Sequence, residues 1–175
     1  MERKLKNAFA VWITGLPASG KSTLTRSLQA QLAQRGVDIA VLESDVLRQI
    51  FTPKPTYSEE ERDAFYTQLA YVGEVLAQHG VPVIFDATAN RRAYRDRARR
   101  QIPHFVEVYL ECPLELCVAR DPKGIYRDGQ GTVPGLQAVY EAPDNPDVLI
   151  FGGQETPEVA AERVIAKLQE KGYLM

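Results

Sequence analysis

The chain has 175 residues, 45% of them hydrophobic and 25% charged, with a formal net charge of −2. That length suits one domain with a proper core, and the composition is that of a globular protein rather than a disordered or fibrous one. The near-neutral charge gives no chain-wide basic footprint for nucleic acid, and no apolar run approaches the roughly 20 residues of a membrane span.

The start, MERKLKNAFAVWITG, sets basic residues ahead of a short apolar run, as a signal peptide does. The run passes straight into a Gly-rich loop with no small-residue cleavage site before it, so residues 9–14 read as a buried strand. Further apolar runs follow at 39–44, 81–87, 104–112 and 147–153, with amphipathic segments near 21–35, 58–79, 90–101, 113–119 and 156–171. The alternation predicts an α/β fold with a five-stranded parallel sheet covered by helices on both faces. Strands and crossovers use up the length, so 1–175 reads as a single domain without repeats. Val159, Val164, Ile165 and Leu168 recur at helical spacing and are expected to pack on the sheet rather than form a dimer seam. Cys112 and Cys117 lie in an apolar context and read as buried thiols, which together with the missing signal points to the cytoplasm.

Two stretches break the alternation. In IFTPKPTYSEEER (50–62), Pro53 and Pro55 prevent helix across the middle, and Ser58 with Glu61 reads as a capping box opening the next helix. The stretch 120–147 is rich in Gly, Pro and charge and too long for an ordinary connection, so it reads as a lid.

The sequence GLPASGKST (15–23) completes G-x-x-x-x-G-K-[ST] between a predicted strand and a predicted helix. Gly15, Pro17, Ala18, Ser19, Gly20 and Thr23 shape a loop whose backbone N–H groups converge on an anion, helped by the helix N-terminus. Lys21 is placed to reach β- and γ-phosphates and Ser22 to offer its hydroxyl to Mg²⁺, which makes ATP and Mg²⁺ the expected cofactors. No Asn-Lys-x-Asp segment is present to read guanine. A small domain with a basic lid suits phosphoryl transfer to a small molecule, since closure excludes competing water.

The second strand ends in LESDVLRQIF and the third in IFDATAN, and ligands gather at the carboxyl ends of such strands. Asp45 is therefore a candidate to orient or deprotonate an acceptor hydroxyl and to hold Mg²⁺, with a helix N-cap as its bland alternative. Asp86 and Thr88 are candidates for placing the acceptor, and Asp86 alternatively for Mg²⁺ through water or for a turn. Arg48 is placed for an acceptor phosphate. Among the arginines of 91–100, Arg92 and Arg95 share a face that points toward the site; the rest read as a solvated face, and nucleic-acid binding is not expected.

The pieces GLPASGKST, SDVLR, YSEEER, VGEVLAQHGVPVI, CPLELCVARDPKGIY and VYEAPDNPD together resemble the adenylylsulfate (APS) kinases, from about residue 11 to 147. The resemblance implies a P-loop kinase fold with strand order 2-3-1-4-5, ATP as donor and the 3′-hydroxyl of adenosine 5′-phosphosulfate as acceptor. It implies catalytic roles for Lys21 and Asp45, APS contacts from Arg48 and Arg62, and stacking of Tyr57 on the APS adenine. Lys123 and Tyr126 fall in its lid; Lys123 and Arg127 would stabilise the transferring phosphoryl, and Arg120 would clamp phosphate or stack on the donor's adenine. It also implies a homodimer. The departures cluster on the acceptor side: DAFYTQLAY puts Phe65 and Gln68 where the family carries an Asn and paired arginines, and Val133 replaces a second stacking Phe. The acceptor is thus APS or, in an APS-kinase-like paralogue, another nucleotide-type or phosphorylated small molecule, with a non-catalytic nucleotide-binding regulator as the reading from another class.

Overall fold

The computed structural model describes residues 8–128 and 132–175. The basic start at 1–7 and residues 129–131 of the expected lid lie outside the described residues. Five strands, β1 (Ala10–Thr14), β2 (Ala40–Glu43), β3 (Val83–Asp86), β4 (Phe105–Glu111) and β5 (Val148–Phe151), form one sheet in the order β2-β3-β1-β4-β5. Every pairing is parallel, as the apolar runs predict, because strands buried on both faces need no polar alternation.

β1 shows how the layers form. Its side chains alternate between faces. Val11 and Ile13 join Leu28 and Leu32 of α1 (Lys21–Gln34) and Val164, Ile165 and Leu168 of α7 (Pro157–Glu170) in one core. Trp12 joins Phe65, Leu69 and Phe85 on the other face, beneath α3 (Glu59–Gln78) and α4 (Arg92–Gln101). Trp12 stacks on Phe85 at 4.5 Å between centroids and donates its indole N–H to the Ala87 carbonyl at 3.0 Å. Three of the four apolar positions expected of α7 are buried, whereas Val159 is exposed.

α2 (Ser44–Phe51) stops where Pro53 and Pro55 forbid helix, and α3 opens at Ser58, whose Oγ accepts the Glu61 N–H at 3.1 Å. The reciprocal half of the capping box does not form: the Glu61 carboxylate reaches past Ser58 to the amides of Thr56 and Tyr57. The expected lid is not one loop. α5 (Leu114–Arg120) leads into the short α6 (Ile125–Asp128), a bridge joins Pro134 to Ala138, and 139–147 is a strap tied to the loop after β3 and to β4. Along the strap, Asn90 donates to the Val139 carbonyl, the Glu141 N–H donates to the Asn90 carbonyl, and the Glu107 N–H donates to Asp147.

Candidate active site

Strand order places the site. β1 lies between β3 and β4, and Ile13 is level with Asp86 of β3. The loop after β1 therefore emerges beside the last residue of β3, at the carboxyl edge of the sheet. Gly15 is required by close approach: a Cβ there would sit 2.6 Å from the Leu110 carbonyl oxygen and 2.9 Å from Ser19 Oγ. Gly20 turns into α1 with φ of 103°, a left-handed conformation that side chains resist. Ser19 faces inward, 2% exposed, and its N–H closes the loop on the Leu16 carbonyl.

Lys21 arches back over this loop, donating to the carbonyls of Leu16 at 2.9 Å and Gly15 at 3.2 Å. Burial lowers its pKa; the carboxylates of Asp86 and then Asp45 oppose that shift. Ser22 donates its hydroxyl to Asp86 Oδ2 at 2.8 Å. Lys21, Ser22, Asp45, Asp86, Thr88, Arg120 and Lys123 all line one cavity of about 760 Å³, together with Pro17, Ala18, Gly20 and Thr23 of the loop.

Asp45 is not a helix cap. Glu43 holds that position, and Asp45 sits in the first turn of α2. Its carboxylate pairs across the cavity with Lys123 at 2.5 Å, a contact that raises the Lys123 pKa. Thus the residue beside Ser22 is Asp86, and the partner of Asp45 is a lid lysine. A hydroxyl and carboxylates form an all-oxygen donor set, which suits Mg²⁺. Among the described residues no group of three His, Cys, Asp or Glu side chains could hold a metal. The set fits an ion that takes one or two protein oxygens and completes its shell with phosphate and water.

Beside the cavity, α2 and α3 bring the other expected residues together. The Arg48 guanidinium lies 3.9 Å from the centroid of Phe65 and 5.3 Å from that of Tyr57. Arg62 stands 5.8 Å from the same Tyr57 ring and donates to the carbonyl and hydroxyl of Thr132. Burial is the first cause lowering the Arg62 pKa. Phe65 is 1% exposed, so its expected role as a direct acceptor contact is corrected: it underlies Arg48 as a cation–π floor.

Two further lid expectations are corrected. Tyr126 donates its hydroxyl to the Pro17 carbonyl at 2.7 Å, and burial pushes its pKa up. It anchors α6 on the phosphate loop instead of reaching the acceptor. The Arg127 side chain is exposed beside Asp128, outside the cavity lining, while its backbone N–H donates to Asp121. The arginines of α4 are also corrected. Arg95 is 1% exposed and bonds Glu107 at 2.9 Å and the carbonyls of Ala89 and Glu141, and Arg92 bonds Ala142 and Asp144. Both hold the strap rather than facing the site. Thr14 donates to the Thr88 carbonyl and is bonded in turn by the strap's Tyr140 at 3.0 Å. Nothing in the local sequence signalled these partners, which lie up to 126 residues away. Cys112 and Cys117 are buried free thiols, as expected. The Cys117 thiol is pushed up to about 12, chiefly by burial.

A family model described as adenylylsulphate kinase matches residues 7–151. An adenylyl-sulfate kinase of Microcystis aeruginosa is 38% identical over 94% of this chain and 93% of its own length. A probable bifunctional SAT/APS kinase of Sorangium cellulosum is 37% identical over 96% of this chain, which spans 30% of that longer protein. The Mycobacterium tuberculosis APS kinase, solved with AMPPNP and APS, superposes with a TM-score of 0.86 at 31% identity, covering 93% of this chain and 98% of that one.

Proposed function

The chain belongs to the adenylylsulphate kinase family, and from that premise we propose that it transfers the γ-phosphoryl of ATP to the 3′-hydroxyl of adenosine 5′-phosphosulfate. The observation that carries the reading is a single cavity. It joins the phosphate loop, the Ser22–Asp86 pair and the Asp45–Lys123 pair at the carboxyl edge of the sheet.

Loop amides and Lys21 bind the β- and γ-phosphates, taking Lys21 off the carbonyls of Gly15 and Leu16. Ser22 and Asp86 would hold Mg²⁺, which neutralises phosphate charge when bound. Arg48 and Arg62 receive the acceptor's anionic group, and Tyr57 offers its ring to the adenine. Asp45 accepts the hydrogen bond of the 3′-hydroxyl and takes its proton as the oxygen–phosphorus bond forms. The bond from the γ-phosphorus to the bridging oxygen breaks, and ADP leaves with that electron pair. Lys123, drawn from Asp45 toward the phosphates, frees the carboxylate for this role and offsets the developing charge. We place the enzyme in the cytoplasm and as a homodimer, on the family resemblance; no described helix is long and apolar enough to cross a membrane.

The test is ADP release from Mg²⁺–ATP with APS as acceptor, against adenosine 5′-monophosphate and acceptor-free controls. Saturable turnover at micromolar APS is expected. Turnover no faster than the monophosphate control would overturn the assignment.

A further inference from the structure

One carboxylate beside the acceptor platform has no role in the scheme above. Glu61 sits in the first turn of α3, its N–H held by Ser58 Oγ. Its Oε2 accepts from the Thr56 N–H at 2.7 Å and the Thr56 hydroxyl at 2.8 Å, and its Oε1 accepts from the Tyr57 N–H at 3.0 Å. Tyr57 is the residue that needs this hold. Its φ is 58°, a left-handed conformation that is uncommon for a bulky residue and persists only where the surroundings impose it. In that conformation its half-exposed ring lies within 5.8 Å of both guanidinium groups, Arg48 and Arg62.

Glu61 also faces Arg48. Their closest atoms, Nη1 and Oε1, are 3.9 Å apart, with side chains only 12% and 15% exposed. That distance is an ion pair without a hydrogen bond. Arg48 Nη1 has no hydrogen-bond partner among the described residues. That nitrogen is buried, so Glu61 holds the guanidinium by charge against the Phe65 floor and fixes the direction in which its remaining N–H groups point. Burial raises the Glu61 carboxyl, but the bonds from Thr56 and Tyr57 and the charge of Arg48 more than reverse it, so the pKa falls below its ordinary value. The anion is the form that makes these contacts.

We infer that Glu61 is a positioning residue for the acceptor: it pins the Thr56–Tyr57 turn and aims Arg48, so that ring and guanidinium meet an adenine nucleotide with an acidic 5′ group as one preformed platform. This rests on the proposed reaction for the identity of the acceptor. A platform assembled in advance binds more tightly, because ordering costs are not met on binding. The donor nucleotide, held by the phosphate loop, is indifferent to it.

The experiment compares Glu61→Gln with Ser58→Ala. In Glu61→Gln the amide keeps the shape but turns a donor toward one of the two backbone N–H groups. Ser58→Ala weakens the same helix end without touching the turn. For Glu61→Gln we expect the KM for APS to rise about tenfold, with the KM for ATP unchanged and a thermal midpoint no lower than that of Ser58→Ala. Ser58→Ala is expected to leave both KM values alone. Hydrogen exchange at the Thr56 and Tyr57 amides, followed by NMR, is expected to quicken in Glu61→Gln alone. An unchanged or lowered KM for APS in Glu61→Gln would overturn the inference, as would the same rise in Ser58→Ala or unaltered exchange. If the wild type does not turn over APS, the proposed reaction fails, and the exchange rates alone decide whether Glu61 holds the turn.

Discussion

Replacing Asp86 with Asn removes a charge from the centre of the site and keeps its shape. Asp86 is 5% exposed and accepts the Ser22 hydroxyl at 2.8 Å. An amide oxygen can still accept that bond. The loss is then the gap between a hydrogen bond to a charged group, about 1.5–3 kcal/mol, and a neutral one, about 0.5–1.5 kcal/mol. Asp86 is also the foremost charge opposing the effect of burial on Lys21. Together these put the cost in the transition state at about 2–3 kcal/mol, or roughly a 30- to 150-fold fall in kcat. The pH profile gives a second readout. Lys21 works protonated, and the Asp86 anion holds its pKa up against burial. Without that anion the pKa drops further, so the alkaline limb of kcat moves to lower pH. The assay is turnover with APS at saturating Mg²⁺–ATP across neutral to alkaline pH, with nucleotide binding by calorimetry and a melting curve as controls. An unchanged rate with an unmoved alkaline limb would refute the reasoning, and so would a loss matched by unfolding.

Three further outcomes follow from named contacts. Phe65→Leu removes the ring 3.9 Å beneath Arg48; with that guanidinium largely desolvated, about 1–2 kcal/mol is lost, and the KM for APS should rise roughly 5- to 30-fold while that for ATP holds. Steady-state kinetics with each substrate varied in turn checks this, and equal effects on both substrates would contradict it. Gly73→Ala on α3 would drive a Cβ into the Phe85 ring, whose Cε1 would stand 2.7 Å away, and Trp12 stacks on that ring at 4.5 Å. Overpacking of about 1–3 kcal/mol should lower the thermal midpoint by roughly 2–12 °C, read by calorimetry. Asp147 is pushed up by burial, but the Glu107 N–H, Lys171 and Arg99 pull it below its ordinary value. A depressed carboxylate stabilises above its unfolded pKa and loses that contribution as pH falls through the folded one. Asp147→Asn should therefore be less stable than wild type at neutral pH in denaturant titrations, and the gap should close as pH drops below about 4.

Much of the fold was legible because its signals are local. Each strand is a short apolar run, and GLPASGKST needs no distant partner to be read as a phosphate loop. Pro53 and Pro55 marked the break between α2 and α3 by backbone chemistry alone. The site was less legible wherever a role depends on which strand lies beside which. Asp45 follows the end of β2 by two residues and Asp86 ends β3, so both read as carboxylates at a strand's carboxyl end. Only the pairing of β3 with β1 puts Asp86, not Asp45, against Ser22. Arg92 and Arg95 share the spacing of site-facing cations, yet the strap arriving about 50 residues later claims them both. Phe65 stands in a stretch that departs from the family pattern, and burial rather than acceptor contact explains it. Glu61 carried a capping signature, but its carboxylate serves a left-handed turn that no periodicity announces.

The central claim is transfer to one particular oxygen, and ³¹P NMR of the product reads it directly. The wild-type chain with Mg²⁺–ATP and APS is expected to give a new monoester resonance coupled to the ribose H3′, with the phosphosulfate signal retained and ADP formed in equal amount. Lys21→Ala is expected to give none of it while remaining folded. A monoester at another position, inorganic phosphate in place of a monoester, or undiminished product from Lys21→Ala would contradict the account.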